Sequence, residues 1–171
     1  MINISLDLDD TILSFYEHYV NTFGSPKNDF EITKHVRGVL LKDKEFWLSQ
    51  PVIRTPNFTP TQYTTSRIIP KTWIKSTLKI NNLPNAPVYQ VMGISLSKYK
   101  MLKGRVNVHV DDSIRVFKDL NSKGMPCLLM DSPYNQEWGP IGRVYSLDKD
   151  EIEYTYNLFL NTVFSNIKEL L

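Results

Sequence analysis

Asp7 and Asp9 stand two residues apart in MINISLDLDDTIL, directly after the apolar-rich segment 2–6. Side chains alternate along a strand, so a strand running into DLD sends both carboxylates to one side. Carboxylates packed that closely repel, and the pair needs a cation, a shared proton or hydrogen bonds. A second acidic pair, Asp111 and Asp112, closes the apolar segment 106–110. Asp7, Asp9, Asp111 and Asp112 together read as a divalent-metal site. Oxygen-only ligands favour Mg²⁺, which keeps several waters and takes phosphate as a further ligand.

The elements that must position these groups alternate along the chain. Strands are expected at 2–8, 62–65, 88–92, 106–110 and 127–130. Helices are expected at 15–23, 33–48, 70–80, 97–103 and 113–122, with a last helix from Asp148. That last helix has Ile152, Tyr156, Phe159, Val163, Ile167 and Leu170 at helical spacing. Pro70 suits a first helical turn, and Gly24, Gly104 and Gly124 mark helix ends. Short apolar strands alternating with amphipathic helices imply a parallel sheet covered on both faces: an α/β, three-layer α/β/α, Rossmann-like fold. In such sheets ligands sit beyond the carboxyl ends of the strands. Asp7, Asp9, Thr65, Ser66, Asp111 and Asp112 all fall there. Residues 13–59 are too long for a simple crossover and read as a small helical cap, leaving 1–12 and 60–171 as the core.

Bulk properties narrow the class. With 171 residues, 42% hydrophobic and 22% charged, the chain suits one soluble domain carrying an insertion. A net charge of +2 is too near neutral to imply nucleic acid by itself; Lys71, Lys75 and Lys79 read as a solvated helix face, with a polyanion site as the other reading. No apolar run approaches a membrane span, and the N-terminus lacks a basic leader, which points to a cytoplasmic protein. The lone Cys127 lies in the apolar run CLLM and reads as a buried thiol. His109, between Val108 and Val110, reads as structural, and no His, Cys or Asp spacing suggests zinc.

The chain resembles the haloacid dehalogenase superfamily of phosphatases. DLDDT matches that family's DxDxT motif, Thr65 in TTSR the second motif, a lysine of SLSKYK the third, and VDDS the fourth. Lys98 fits the third motif best and Lys100 is the substitute. Phe46-Trp47, Thr65-Ser66 and Ser132-Pro133-Tyr134-Asn135 are similar to the 5'(3')-deoxyribonucleotidase branch, in a bacterial or bacteriophage form. Asp10 departs from the glycine often found there.

The resemblance implies a Mg²⁺-dependent phosphomonoesterase. Asp7 would attack phosphorus and form an aspartyl-phosphate. Asp9 would protonate the leaving oxygen and then activate water, a role that asks for a carboxyl whose proton affinity is raised. The ion would bind Asp7, the Asp9 carbonyl and Asp112, with Asp111 as ligand or outer partner. Thr65, Ser66 and Lys98 would hold phosphoryl oxygens, and Thr11 would fix the turn after strand one.

Several residues keep two readings. Phe15, His18, Tyr19, Phe46 and Trp47 line a base pocket or form the cap's own core. Arg67 meets a second phosphate or sugar, or forms a surface ion pair. Tyr134 and Asn135 reach the substrate or make a turn. Asp111-Asp112-Ser113 also has the form of a helix N-cap. The expected partner is a small phosphorylated molecule, a nucleotide by preference, and a homodimer is allowed. A phosphatase of nucleic-acid 3' ends or sugar phosphates, and a non-catalytic interaction protein of the same fold, are the other readings.

Overall fold

A computed structural model describes residues 2–91 and 95–168. Six strands form one parallel sheet: β1 (Ile4–Asp7), β2 (Gln62–Thr65), β3 (Val88–Gln90), β4 (Val108–Asp111), β5 (Cys127–Met130) and β6 (Arg143–Val144). Their order is β3-β2-β1-β4-β5-β6, with β1 in the middle. Seven helices are described: α1 (Tyr16–Phe23), α2 (Asp29–Gly38), α3 (Lys44–Leu48), α4 (Lys71–Ile80), α5 (Ser95–Leu102), α6 (Ile114–Ser122) and α7 (Lys149–Lys168). None is long and apolar enough to cross a membrane among the described residues.

The sheet is covered on both faces, as expected of an α/β/α fold. Ile4, Leu6, Val108, Val110, Leu128 and Met130 join Ile74 and Leu78 of α4 and Ile152 of α7 in one core. Cys127 and Leu129 face the other way, onto Leu102 of α5 and Val116, Phe117 and Leu120 of α6. The period-two alternation of CLLM therefore serves both cores. Along β1 and β4 that second face is polar instead: Ser5, Asp7, His109 and Asp111 all lie buried there. Cys127 is buried and free, as its setting implied.

Several elements differ from expectation for identifiable reasons. The helix expected over 33–48 is broken into α2, a 3₁₀ turn (Leu40–Lys42) and α3. Gly38 ends α2, and Asp43 starts α3 by accepting the Phe46 amide at 2.9 Å. Asn28 caps α2 in the same way, accepting from the Glu31 amide at 3.1 Å. Pro70 precedes α4 as its cap residue. β6 was not expected, because two residues carry no readable alternation. Met92 and Leu170 lie outside the described residues.

The inserted lobe joins the core through a narrow neck. Leu13 pairs antiparallel with Val52, the Ser14 amide donates to the Pro51 carbonyl at 2.9 Å, and the Ile53 amide donates to the Ile12 carbonyl at 2.8 Å. Residues 53–59, read as part of the insertion, run instead along the core. Asn57 Nδ2 donates to Asp148 at 2.5 Å, and the Thr61 amide donates to the Ile4 carbonyl at 2.8 Å. On its other side the lobe rests on α4, where Thr77 Oγ1 donates to the Trp47 carbonyl at 3.0 Å.

Candidate active site

β1 and β4 are direct neighbours in register, Leu6 beside Val110, so Asp7 and Asp111 emerge side by side from the same sheet face. Lys98, on α5 above that face, places Nζ 2.5 Å from Asp7 Oδ1 and 2.5 Å from Asp111 Oδ2. All three are buried. Lys100 is exposed, so Lys98 is the lysine that reaches the carboxylates. Burial alone would discharge Lys98, but Asp111 and Asp7 reverse that and hold its proton more firmly than usual. Asp111 is also penalised by burial, yet Lys98 and His109 overcome the penalty and keep it ionised. Asp7 goes the other way: burial, opposed by Lys98 and reinforced by Asp111, Asp9 and Asp112, raises it well above the ordinary carboxyl range.

His109 contributes more than its sequence setting suggested. Its Nδ1 lies 3.2 Å from the Ser5 carbonyl and its Nε2 3.1 Å from Asp111 Oδ2. Asp7, His109 and Asp111 form a buried group whose ligand atoms all lie within 4.8 Å of one another. The ring lies between the β1 backbone and Asp111 and braces that carboxylate. Burial lowers its proton affinity. One signal was available: Ser5 and His109 each precede an acidic residue by two, the strand period.

Asp9 lies past the end of β1, in the loop rather than on the strand. Its Oδ2 accepts from Thr65 Oγ1 at 2.9 Å, and its Oδ1 accepts from Arg67 Nε at 2.7 Å with Nη2 at 2.6 Å. Thr65 thus holds Asp9, while Thr64 Oγ1 lies 3.5 Å from Asp7 Oδ1. The buried Arg67 guanidinium sits 5.0 Å over the Trp47 ring, and its Nη1 has no hydrogen-bond partner. Arg67 is therefore an interior residue tying the lobe to the core. Gln90 Nε2 secures the loop beneath it by donating to the Arg67 and Ile69 carbonyls at 3.0 and 2.6 Å.

Asp10 adopts a left-handed conformation with φ 54, a region that suits glycine and costs other residues about 1–2 kcal/mol. Its carboxylate offsets that cost by accepting the Phe15 and Tyr16 amides at 2.8 and 2.9 Å, which starts α1. Burial, opposed by those amides, pushes Asp10 up to about 6. Arg54, unremarked in the sequence, stabilises the same loop. It donates to the Asp10 and Thr11 carbonyls at 3.3 and 3.4 Å and to the Asp131 carbonyl at 2.7 Å.

Asp112 accepts from Thr11 Oγ1 at 3.2 Å and Tyr134 Oη at 2.6 Å. Thr11 therefore braces the second acidic pair. Burial and Asp111 push Asp112 up to about 7. Asn135 is a buried strut: Nδ2 donates to the Asp112 and Met130 carbonyls, and Oδ1 accepts from the Ser132 amide and Arg143 Nη1. Ser113 has the cap role, its hydroxyl accepting the Val116 amide at 3.4 Å.

Two cavities meet at this site. A polar one of about 330 Å³ is lined by Asp7, Asp9, Ser66, Lys98, Asp111 and Asp112. An apolar one of about 390 Å³ is lined by Phe15, Ile32, Val36 and Trp47. Asp9 and Ser66 line both. Trp47 is 2% exposed and donates Nε1 to the Leu40 carbonyl at 2.7 Å. Phe15 stacks on it at 5.7 Å and 13°. His18, Tyr19 and Phe46 pack within the lobe behind them.

The donor set suits a hard divalent cation. Asp7, Asp9, Asp10, Asp111 and Asp112 converge with Lys98 and Arg67 as their ion-paired cations. Burial and neighbouring carboxylates raise the proton affinity of Asp7 and Asp112. The carboxylate oxygens are the ligand type of a hard cation. Among known proteins, no family model matches the chain and no curated sequence is significantly similar to it.

Proposed function

We propose that this protein is a Mg²⁺-dependent phosphomonoesterase of the haloacid dehalogenase type, acting on nucleoside 5'-monophosphates. The observation that carries the reading is the bridge of Lys98 between Asp7 and Asp111, with Asp9 beside it at the mouth of an apolar cavity. Lys98 and Thr64 hold one oxygen of Asp7, and the other oxygen acts as nucleophile on phosphorus. The phosphorus–oxygen ester bond breaks as Asp9 delivers a proton to the departing oxygen. Asp9 then takes a proton from water, which attacks the aspartyl-phosphate and restores the Asp7 carboxylate with release of phosphate.

For that sequence Arg67 must exchange Asp9 for a phosphoryl oxygen. Its unpartnered Nη1 supports such a swap. The Ser66 hydroxyl, exposed and lining both cavities, supplies a second phosphoryl contact. Asp7, Asp112 and the Asp9 carbonyl are the groups that fit Mg²⁺. When bound, the ion neutralises the charge of the nucleophile and of the phosphate it approaches. Phe15 and the lobe's apolar wall would take the base.

The test is phosphate release from deoxy- and ribonucleoside monophosphates, sugar phosphates and a 3'-phosphorylated oligonucleotide, with and without Mg²⁺. The expected result is Mg²⁺-dependent release from mononucleotides that disappears in Asp7→Asn. Release that persists in Asp7→Asn, or that ignores a chelator, would overturn the assignment.

A further inference from the structure

From Phe46 through Val110 the chain carries nine of its twenty basic residues and none of its eighteen acidic ones. The near-neutral total hides this segregation. The fold gathers the stretch on one flank, since it supplies β2, α4, β3 and α5. Three of the nine are engaged at the acidic centre: Arg54, Arg67 and Lys98. The other six, Lys71, Lys75, Lys79, Lys100, Lys103 and Arg105, are exposed. None of the six has an ion pair among the described residues.

These cations are organised. Lys71, Lys75 and Lys79 recur every four residues on one edge of α4, about 6 Å apart along the axis. They line a groove of about 880 Å³ together with Leu78, Leu83, Val88 and Pro84–Pro87. Tyr89, on the edge strand β3, has Lys71 Nζ 5.6 Å and Arg105 Cζ 5.3 Å from its ring centre. Tyr99 has Lys103 Nζ at 5.4 Å. Evenly spaced cations beside a groove of mixed polarity and aromatic rings suit a flexible polymer with one phosphate per unit and a flat base to stack. An acidic peptide offers no bases, and a bilayer surface does not enter a groove.

We propose that the β3 flank is a binding surface for single-stranded nucleic acid, with phosphates along Lys71, Lys75 and Lys79 and bases against Tyr89 and the groove. This surface is separate from the carboxylate centre and does not depend on Asp7 being a nucleophile.

The experiment is fluorescence anisotropy of a labelled oligothymidylate with the full chain over a salt series. It compares the wild type with a K71Q/K75Q/K79Q variant, a K27Q/K34Q/K118Q variant that loses the same charge elsewhere, and Asp7→Asn. Binding is expected in the wild type and in Asp7→Asn. The groove variant should weaken it by roughly tenfold or more and lower the slope of log affinity against log salt by about 2, near 0.7 per phosphate contact. The distant triple should stay within about twofold of wild type. No wild-type binding, an equal loss in both triples, or loss in Asp7→Asn would overturn the proposal. So would competition by polyglutamate or phosphatidylserine vesicles as strong as by unlabelled oligonucleotide at equal charge.

Discussion

Lys98 and Lys75 are the same side chain on helices that cover opposite faces of one sheet, and they live under opposite rules. Lys98 is 6% exposed and bound to two carboxylates, so its position is dictated by its partners. Lys75 is exposed with no ion pair among the described residues, so its individual geometry matters little and its charge acts only in sum with its neighbours. A buried charge without a partner costs several kcal/mol, whereas an exposed one costs almost nothing. The acidic centre is thus a set of specific pairs, and the basic flank is a field.

Substitution at each end should expose that difference. Asp7→Asn is expected to lower the proposed phosphatase activity by at least about a thousandfold while leaving the fold intact, measured by initial rates and a thermal melt. Lys98→Met should be costly to the fold itself. Leaving Asp7 and Asp111 buried without their shared cation is expected to cost about 3–5 kcal/mol in a urea titration. Part of that loss should return as pH falls and Asp7 takes up a proton. Loss of stability that does not respond to pH would mean that lost packing, not lost charge, is responsible.

The metal should sharpen the picture through pH. Asp112 keeps its proton to about 7 in the folded chain, against about 4 when unfolded. Between those values the folded state binds more protons, so metal-free stability falls as pH rises. Cation binding needs the carboxylate, so the rise in Tm on adding Mg²⁺ should be small near pH 5 and grow towards pH 7. A Tm increment constant across that range would count against Asp112 as a ligand. At the small end, Lys75→Ala should move stability by no more than about 0.5 kcal/mol and leave mononucleotide hydrolysis unchanged.

The fold and the acidic centre were legible because their signals are local. CLLM and QYTT form strands over the residues expected, and DLDDT and VDDS bring their carboxylates together at two strand ends. Side-chain directions after a strand ends were less legible. Alternation predicts that Asp7 and Asp9 share a side, and both line the polar cavity, but β1 stops at Asp7 and the partners of Asp9, Thr65 and Arg67, carry no such signal. The broken helix over 33–48 followed from one glycine and one capping aspartate, signals weaker than the apolar spacing around them. Arg54 had no motif to betray it, because its partners are backbone carbonyls from three distant positions. The basic flank was visible in the order of residues and lost in their total.

The neck formed by Leu13 and Val52 makes the lobe exchangeable. Because the chain leaves and returns through adjacent paired residues, a lobe of another length spliced there would have its ends already held together and would not shift the pairing of β1 with β2 or β4. Asp7, Lys98 and Asp111 all lie outside the neck, whereas Phe15, Val36 and Trp47 lie inside it. In the proposed phosphatase, the groups that would carry the reaction and those that would choose the substrate thus lie on opposite sides of the neck, and one set could be redesigned while the other is kept.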